Sequence, residues 1–526
     1  MLRQVVIVVC LLAGPVAAQC ESPPLLASDG LNGDNFGNSV SLWQDHAIVT
    51  SIYDDGIGID SGSAYVFEKR GGTWVQISKL VASDTADMDR FGHSCGIFGD
   101  ACIVGDRYNQ DLGYGSGSAY IFERQGGVWV QTAYLVAATT EQMDALFGEA
   151  CDIGDGVAVV GASVEDGPAG ANQGAIHIFK KLGGTWSETQ VIYASDAKPN
   201  ARFGEALQID GNRMVVGSRA TVGTTFAAGE VYVFQSVGGV WTETQKLTAP
   251  VPEPAGLFGE HVAISGNTIA VSALLEDSLG TDVGSVYVFE YDGTHFVQTA
   301  KLLPDTTYAA KFGVLEVSGD TLVVGAAFDA AKGTAAGVAY RFTKQGGTWK
   351  KTAKFSASDT QAGDWFGSAV SVWGTDVLIS AQVASNGSGQ KSGKAYVFSE
   401  LDALVPYGTG TPGTGGVTPT LTLSGCTEAG ETLNLAIANG KPGSLAVLFL
   451  GVAKAELPLK GCTLLTFPLL LQIALPLDGT GSIAFPSTIP ASLTVPVTLD
   501  MQAFVVDPGG PKGYSSTDAT QLKLGG

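Results

Sequence analysis

Seven Phe-Gly dipeptides, 54 to 56 residues apart and each followed by two short apolar strands, predict an all-β chain. The expected fold is a seven-bladed β-propeller of four-stranded blades followed by a small β-sandwich. The dipeptides begin at Phe36, Phe91, Phe147, Phe203, Phe258, Phe312 and Phe366. A second observation is that the two ends of the array complete one another. A third is a change of composition after Glu400.

Residues 1–18 read as a signal peptide. Arg3 precedes the apolar run Val5–Ala13, and Val16-Ala17-Ala18 places small residues at the cleavage position, so the mature chain is expected to start at Gln19. The chain is thus expected to be secreted or held at the cell surface. No other apolar run is long enough to predict a membrane span. Acids outnumber bases by 51 to 29, a net charge of -22, which disfavours nucleic acid and anionic membranes as partners.

The propeller is expected over residues 22–400. In the fifth repeat, Val262-Ala263-Ile264 forms the first strand. The Gly266-Asn267 turn suits a type II′ hairpin, because glycine accepts the positive φ of its first position. Strand two is β-branched, as in Met214-Val215-Val216. Strand three recurs as Ala64-Tyr65-Val66-Phe67 and six counterparts. Both have apolar residues pointing to both faces, as stacked blades require. A Gly-Gly hairpin leads into strand four with Trp74, Trp129, Trp186, Trp241, Phe296 or Trp349. A ring at the same position of six repeats is expected to pack blades. The last repeat lacks this strand, whereas Pro23–Asp29 matches Lys79–Asp84. The N-terminal segment is therefore expected to complete the last blade and protect its edge.

Phe-Gly followed by a β-branched strand ending in Val160-Gly161-Ala162 or Val324-Gly325-Ala326 resembles the FG-GAP repeat of integrin α-subunit heads and bacterial exported proteins. The resemblance implies a seven-bladed propeller devoted to adhesion or ligand recognition. In integrins the loop between strands one and two holds an Asp-rich calcium motif. Here it is a two-residue turn, too short to gather six to eight oxygen ligands, so no metal and no cofactor is expected.

Acids crowd the loops on the Phe-Gly side, among them Asp34, Asp54, Asp89, Asp106, Glu165 and Glu276; bases such as Lys69, Arg124, Lys181 and Lys344 lie on the other. This predicts a polarised disc, its acidic face either a ligand surface or merely solvated. Two residues after the Phe stand His93, Glu149, Glu205 and Glu260. These could line a channel mouth, either as a cation- or sugar-binding cluster or as hydrated lining. Trp43, Trp365 and Trp373 break the repeat pattern and so are better ligand candidates than the repeated rings. The candidate ligand residues are Glu149, Glu205, Glu260, His93 and Trp365. No catalytic motif is present, and the chain is expected not to be an enzyme.

Residues 401–420 read as a Gly/Thr/Pro-rich linker, and 421–526 as a β-sandwich module with Cys426 and Cys462 as its disulfide pair. Cys95, Cys102 and Cys151 are left unpaired, since the turn register sets Cys102 diagonal to Cys95. The expected function is recognition or adhesion, by a monomer, of an extracellular glycan or cell-surface protein. The alternatives are a polysaccharide-active enzyme using the Glu cluster and a structural envelope component.

Overall fold

The computed structural model describes residues 20–70, 72–137, 144–386, 391–399, 404–425, 432–460, 462–466, 469–488 and 497–524. The expected signal peptide lies outside the described residues. The chain divides into two compact units, Glu21–Phe398 and one containing Ser399–Gly526.

Among the described residues the first unit contains seven four-stranded antiparallel sheets. In sheet 1, Phe36–Trp43 pairs with His46–Ser51, then Ser63–Arg70, then Thr73–Leu80. Sheets 2 to 6 repeat this order, and sheet 7 is led by Phe366–Trp373. Neighbouring sheets pack through their first strands, and sheet 7 packs on sheet 1, so the ring is closed. Strands two and three are buried on both faces, as their unbroken apolar runs require. The hairpin turns follow their glycines: Ser265 pairs with Thr268 around Gly266, whose φ is 54°.

The N-terminus completes sheet 7. Cys20–Glu21 pairs with the strand Lys394–Ser399; Ser22 N donates to Val397 O at 2.8 Å and Leu25 N to Ala395 O at 2.7 Å. The expected strand Pro23–Asp29 is shifted towards the N-terminus, because Pro23 and Pro24 have no N–H to give to a ladder.

The two glycines of the repeat meet across the blade boundary. A Cβ on Gly105, at the end of strand two of sheet 2, would fall 2.1 Å from the carbonyl oxygen of Gly148 in sheet 3. Gly148 itself has φ of 91°, and its Cβ would fall 2.2 Å from Ser118 O. Gly161 and Gly204, Gly217 and Gly259, and Gly325 and Gly367 repeat the contact. The preceding Phe is fully buried and sets its ring edge-on to strand three: Phe36 lies 5.5 Å from Tyr65 and 6.1 Å from Phe67. Phe-Gly and Val-Gly are thus one packing device read twice.

The first strands face the channel, which leaves their outward amides without a ladder partner. Side chains of the preceding blade supply acceptors. Leu42 N donates to Ser371 Oγ at 3.0 Å, Ile97 N to Ser41 Oγ at 3.3 Å, Ile209 N to Asp152 Oδ2 at 2.9 Å and Ile264 N to Gln208 Oε1 at 2.5 Å. Cys95, Cys102 and Cys151 are free thiols, and Cys102 pairs with Ile97, diagonal to Cys95.

The second unit is a sandwich. A sheet containing Leu445–Gly451 and Val497–Val506 and a three-stranded sheet containing Thr420–Gly425 share a core that includes Leu421, Leu423, Ile437, Leu448 and Ala503. One expectation is corrected here. From Leu404 onward the expected linker is docked on the module: Leu404–Tyr407 pairs with Ala519–Leu524, and Thr411 bridges Ser516, because the open sheet edge takes up its backbone groups. The expected Cys426–Cys462 pair rests on Cys426, which lies outside the described residues; Cys462 itself is a buried thiol, its Sγ 3.7 Å from Tyr514 O.

Candidate functional site

The first strands run from the Phe-Gly end of the channel to its hairpin end, which places the residue two after each Phe at one mouth. Glu149, Glu205, Glu260 and His93 all line a cavity of about 450 Å³ there. Trp365 does not join them. It has φ of 58°, in the left-handed conformation shared by the residue before the Phe in every repeat, and its ring stacks on Phe328 at 5.4 Å.

The mouth also holds two arginines that the sequence reading missed. Arg107 Nη1 donates to Glu149 Oε1 at 2.7 Å, and Ser163 Oγ donates to Glu149 Oε2 at 2.6 Å. Arg219 lies between the other two carboxylates. It makes a bidentate pair with Glu260, at 2.9 and 2.7 Å, and lies 2.6 Å from Glu205 Oε1. The signal was present in the repeat alignment. Arg107 and Arg219 follow strand two, where the other copies have Ile52, Ser163, Leu274, Ala327 and Gln382.

Glu205 differs from its neighbours. Its side chain is 92% buried, and its Oε2 has no partner among the described residues. Burial, then the nearby Glu260, push its pKa up to about 8 against the pull of Arg219. His93 is held neutral: burial, then Arg107 and Arg90, lower its pKa to about 3. The mouth therefore offers hydrogen-bonding carboxyls clamped by guanidinium groups, rather than the bare carboxylate cluster a cation would need. Among the described residues no group of three or more His, Cys, Asp or Glu is placed to hold a metal ion.

The acidic face is corrected in part: Asp55, Asp87, Asp111, Asp166 and Asp277 are exposed on it, but six of its acids are not. Asp34, Asp54, Asp89, Asp106, Glu165 and Glu276 are buried. Several of them hold their own blade together. Tyr65 Oη donates to Asp54 Oδ2 at 2.7 Å, Leu31 N to Asp34 Oδ2 at 2.5 Å, and Tyr287 Oη to Glu276 Oε1 at 3.1 Å. In sheet 3 a buried His177 replaces the tyrosine and lies between Glu165 at 2.7 Å and Glu188 at 2.5 Å. Burial opposes its charge, but the two carboxylates outweigh it and raise its pKa to about 9.

The basic face is paired too. Lys69 meets Asp376, Arg124 meets Glu68, Lys181 meets Glu123 and Lys344 meets Glu290, each across a blade boundary. Trp74, Trp129, Trp186, Trp241, Phe296 and Trp349 are buried, as packing rings should be.

The family model described as FG-GAP repeat matches residues 22–67, 74–122, 186–234, 241–289 and 349–398. No curated protein sequence matches the chain. Similar solved structures include the β-propeller domain of the Trilobed protease from Pyrococcus furiosus, 10% identical over 65% of this chain and 90% of that one, with a TM-score of 0.38. The acylaminoacyl peptidase of Pyrococcus horikoshii is 8% identical over 80% of this chain and 57% of its own, with a TM-score of 0.39. An exo-beta-1,3-galactanase from Phanerochaete chrysosporium is 9% identical over 71% and 94%, with a TM-score of 0.28. Among the described residues no helix is long and apolar enough to cross a membrane.

Proposed function

This chain carries FG-GAP repeats at five positions and the sheet architecture of a β-propeller, and from these we propose that it is an exported, non-enzymatic recognition protein. It binds an extracellular glycan or cell-surface protein, as a monomer, through the Glu–Arg mouth of its channel. The observation that carries this reading is the Glu205 carboxyl, buried at the mouth beside Arg219 with one oxygen left without a partner. A buried polar atom without a partner is costly unless something fills the place, and a hydroxyl or amide of a ligand would do so. Export is supported by the N-terminal sequence. Removal of residues 1–18 would leave the closing strand Cys20–Glu21 whole.

The test is binding of the full mature chain to arrayed extracellular glycans and cell-surface proteins. Saturable binding that falls about tenfold or more in Arg219→Ala is expected, since that change removes a charged, partly buried contact. Binding that is indifferent to Arg219→Ala would place recognition elsewhere.

One observation favours a second reading. Glu205 would carry a proton at neutral pH, as a general acid must, with Glu260 a carboxylate neighbour through Arg219. A polysaccharide-active enzyme uses such an unequal pair. Turnover of an arrayed polysaccharide that stops in Glu205→Gln, with the fold intact, would replace the recognition reading.

A further inference from the structure

The other end of the channel breaks the seven-fold repeat in an ordered way. The last residue of each first strand, the one before the two-residue turn, is structurally equivalent in all seven sheets. Trp43 pairs with His46, Phe98 with Ala101 and Trp373 with Asp376; Asp210, Ser265 and Ser318 make the same pairing with Arg213, Thr268 and Thr321. The aromatic residues fall on three consecutive sheets, the seventh, first and second. The polar ones fall on the fourth, fifth and sixth, and Gly154 of the third leaves a gap between the arcs.

Together they rim a second cavity of about 350 Å³. The rings form a continuous stepped arc: Trp43 lies 5.4 Å from Phe98 and 5.7 Å from Trp373, tilted by 49° and 48°. Trp373 and Phe98 are each 39% exposed. Trp43 Nε1 is buried with no partner among the described residues. On the polar arc, Asp210 is exposed, and Ser265 Oγ already accepts the Gly319 amide at 3.0 Å, which leaves its hydroxyl hydrogen to donate. Glu316 lines the inner part and accepts Gln208 Nε2 at 2.7 Å.

We infer that this hairpin-end mouth is a binding site for a neutral sugar residue of a glycan, stacked on the Trp373–Trp43–Phe98 arc and hydrogen-bonded through its hydroxyls to the Asp210–Ser318 arc. A pyranose ring has an apolar face of C–H groups and an equator of hydroxyls. An open aromatic arc facing a polar one matches both at once. The rings that pack the blades recur at one position in six repeats. These three break the repeat, and although they touch one another across two blade boundaries, Trp373 and Phe98 stay exposed where a purely packing ring would be buried. The net charge of -22 and the Asp210 carboxylate disfavour acidic sugars. The arc is stepped and open on one side, so it does not enclose a quaternary ammonium group as an aromatic cage does. This inference does not rest on the Glu–Arg mouth, which lies at the opposite end of the channel.

The test is titration of the full mature chain with cellotriose, maltotriose and mannotriose, followed by tryptophan fluorescence and calorimetry, with choline as the competing chemistry. At least one trisaccharide is expected to bind with a Kd no weaker than about 1 mM and to shift the fluorescence. Trp373→Ala and Phe98→Ala should each weaken it about tenfold, Trp373→Phe should retain most of it, and Asp210→Asn should weaken it. Phe226→Ala, which removes an exposed ring outside this mouth, should leave it unchanged. Melting curves of the variants separate lost binding from lost fold. No binding of any of the three sugars up to about 10 mM overturns the inference. So does binding that survives both Trp373→Ala and Phe98→Ala, or binding of choline in place of the sugars.

Discussion

Gly96 leaves the space that the Asp152 carboxylate occupies: a Cβ on Gly96 would fall 2.8 Å from Asp152 Oδ1 and 3.3 Å from its Cα. In sheets 1, 4 and 7 the residue at the position of Gly96 accepts an amide of the next blade. Gly96 has no side chain to do so, and Asp152 takes over, accepting its neighbour Ile153 N at 2.9 Å as well as Ile209 N. One carboxylate thus holds an amide of its own strand and one of the next blade. Because both oxygens are held, it cannot swing aside. Gly96→Ala is expected to destabilise the protein by about 1–3 kcal/mol, as overpacking does, read as a lowered melting temperature. Gly96→Ala that melts like the parent would show that the carboxylate yields freely.

The channel acids set a pH dependence. Burial raises Asp152 to about 7 and Glu316 to about 8, and burial with Glu260 raises Glu205 to about 8. All three lie above their unfolded values, so between about pH 4 and 8 the folded state binds more protons than the unfolded one. Stability then falls as pH rises through that window. His177, raised to about 9, adds stability that is complete below about pH 6.5 and lost towards pH 9. The melting temperature should therefore decline from pH 5 to 9. Glu316→Gln, which keeps the contact with Gln208 but cannot ionise, should flatten the slope. An unchanged slope would remove Glu316 from the account.

Equivalent glycines should not be equally sensitive. Gly148 combines φ of 91° with backbone oxygen 2.2 Å from its missing Cβ, whereas Gly313 lacks the positive φ and would meet Leu274 Cδ1 and Ser272 Cβ at 3.0 Å. Gly148→Ala should cost about 3 kcal/mol or more, from strain and clash together. Gly313→Ala should cost clearly less. Denaturant titration of the two variants gives the order, and the reverse order would contradict the packing account.

Arg219 separates two carboxylates that otherwise repel. Arg219→Ala should raise the pKa of Glu205 above about 8, because the group that lowers it is gone while Glu260 remains. Carbon-detected NMR titration of the glutamate carboxyls would read this directly. A fall in that pKa would mean that water screens the pair.

Removing residues 19–29 should open the edge strand Lys394–Ser399. The shortened chain is expected to melt lower and to self-associate in light scattering, since an unpaired edge is a template for other chains. A monodisperse, equally stable product would mean that the N-terminal strand contributes little.

The blade was legible because its determinants are local and repeated. Phe36 and its six counterparts, the Gly266 turn and the Trp74 series each fix a position by steric or apolar demands that recur every 54 to 56 residues. The closing strand was legible from complementarity of the two ends, although Pro23 and Pro24 moved its register. The gathering of Glu149, Glu205, Glu260 and His93 followed from the repeat position alone. What escaped was side-chain pairing, whether between blades or within one. Arg107 and Arg219 look like isolated surface bases until the ring sets them against Glu149 and Glu260. Asp54, Glu165 and Glu276 look like solvated loop acids until tyrosine, histidine and lysine partners on the third and fourth strands of the same blade enclose them. Charge on a loop says nothing about its burial, because burial depends on which partners the fold delivers.

The closing contact joins Ser22 to Val397, almost the full length of the propeller unit. Its first strand is synthesised first and finds its place last. A growing chain can stack successive blades as they emerge, but the ring stays unsealed until the seventh is complete. Closure therefore works as a length check. A truncated or skipped repeat would leave a gap where Cys20–Glu21 should dock, and the defect would be exposed as a raw edge to whatever proteases surround the chain.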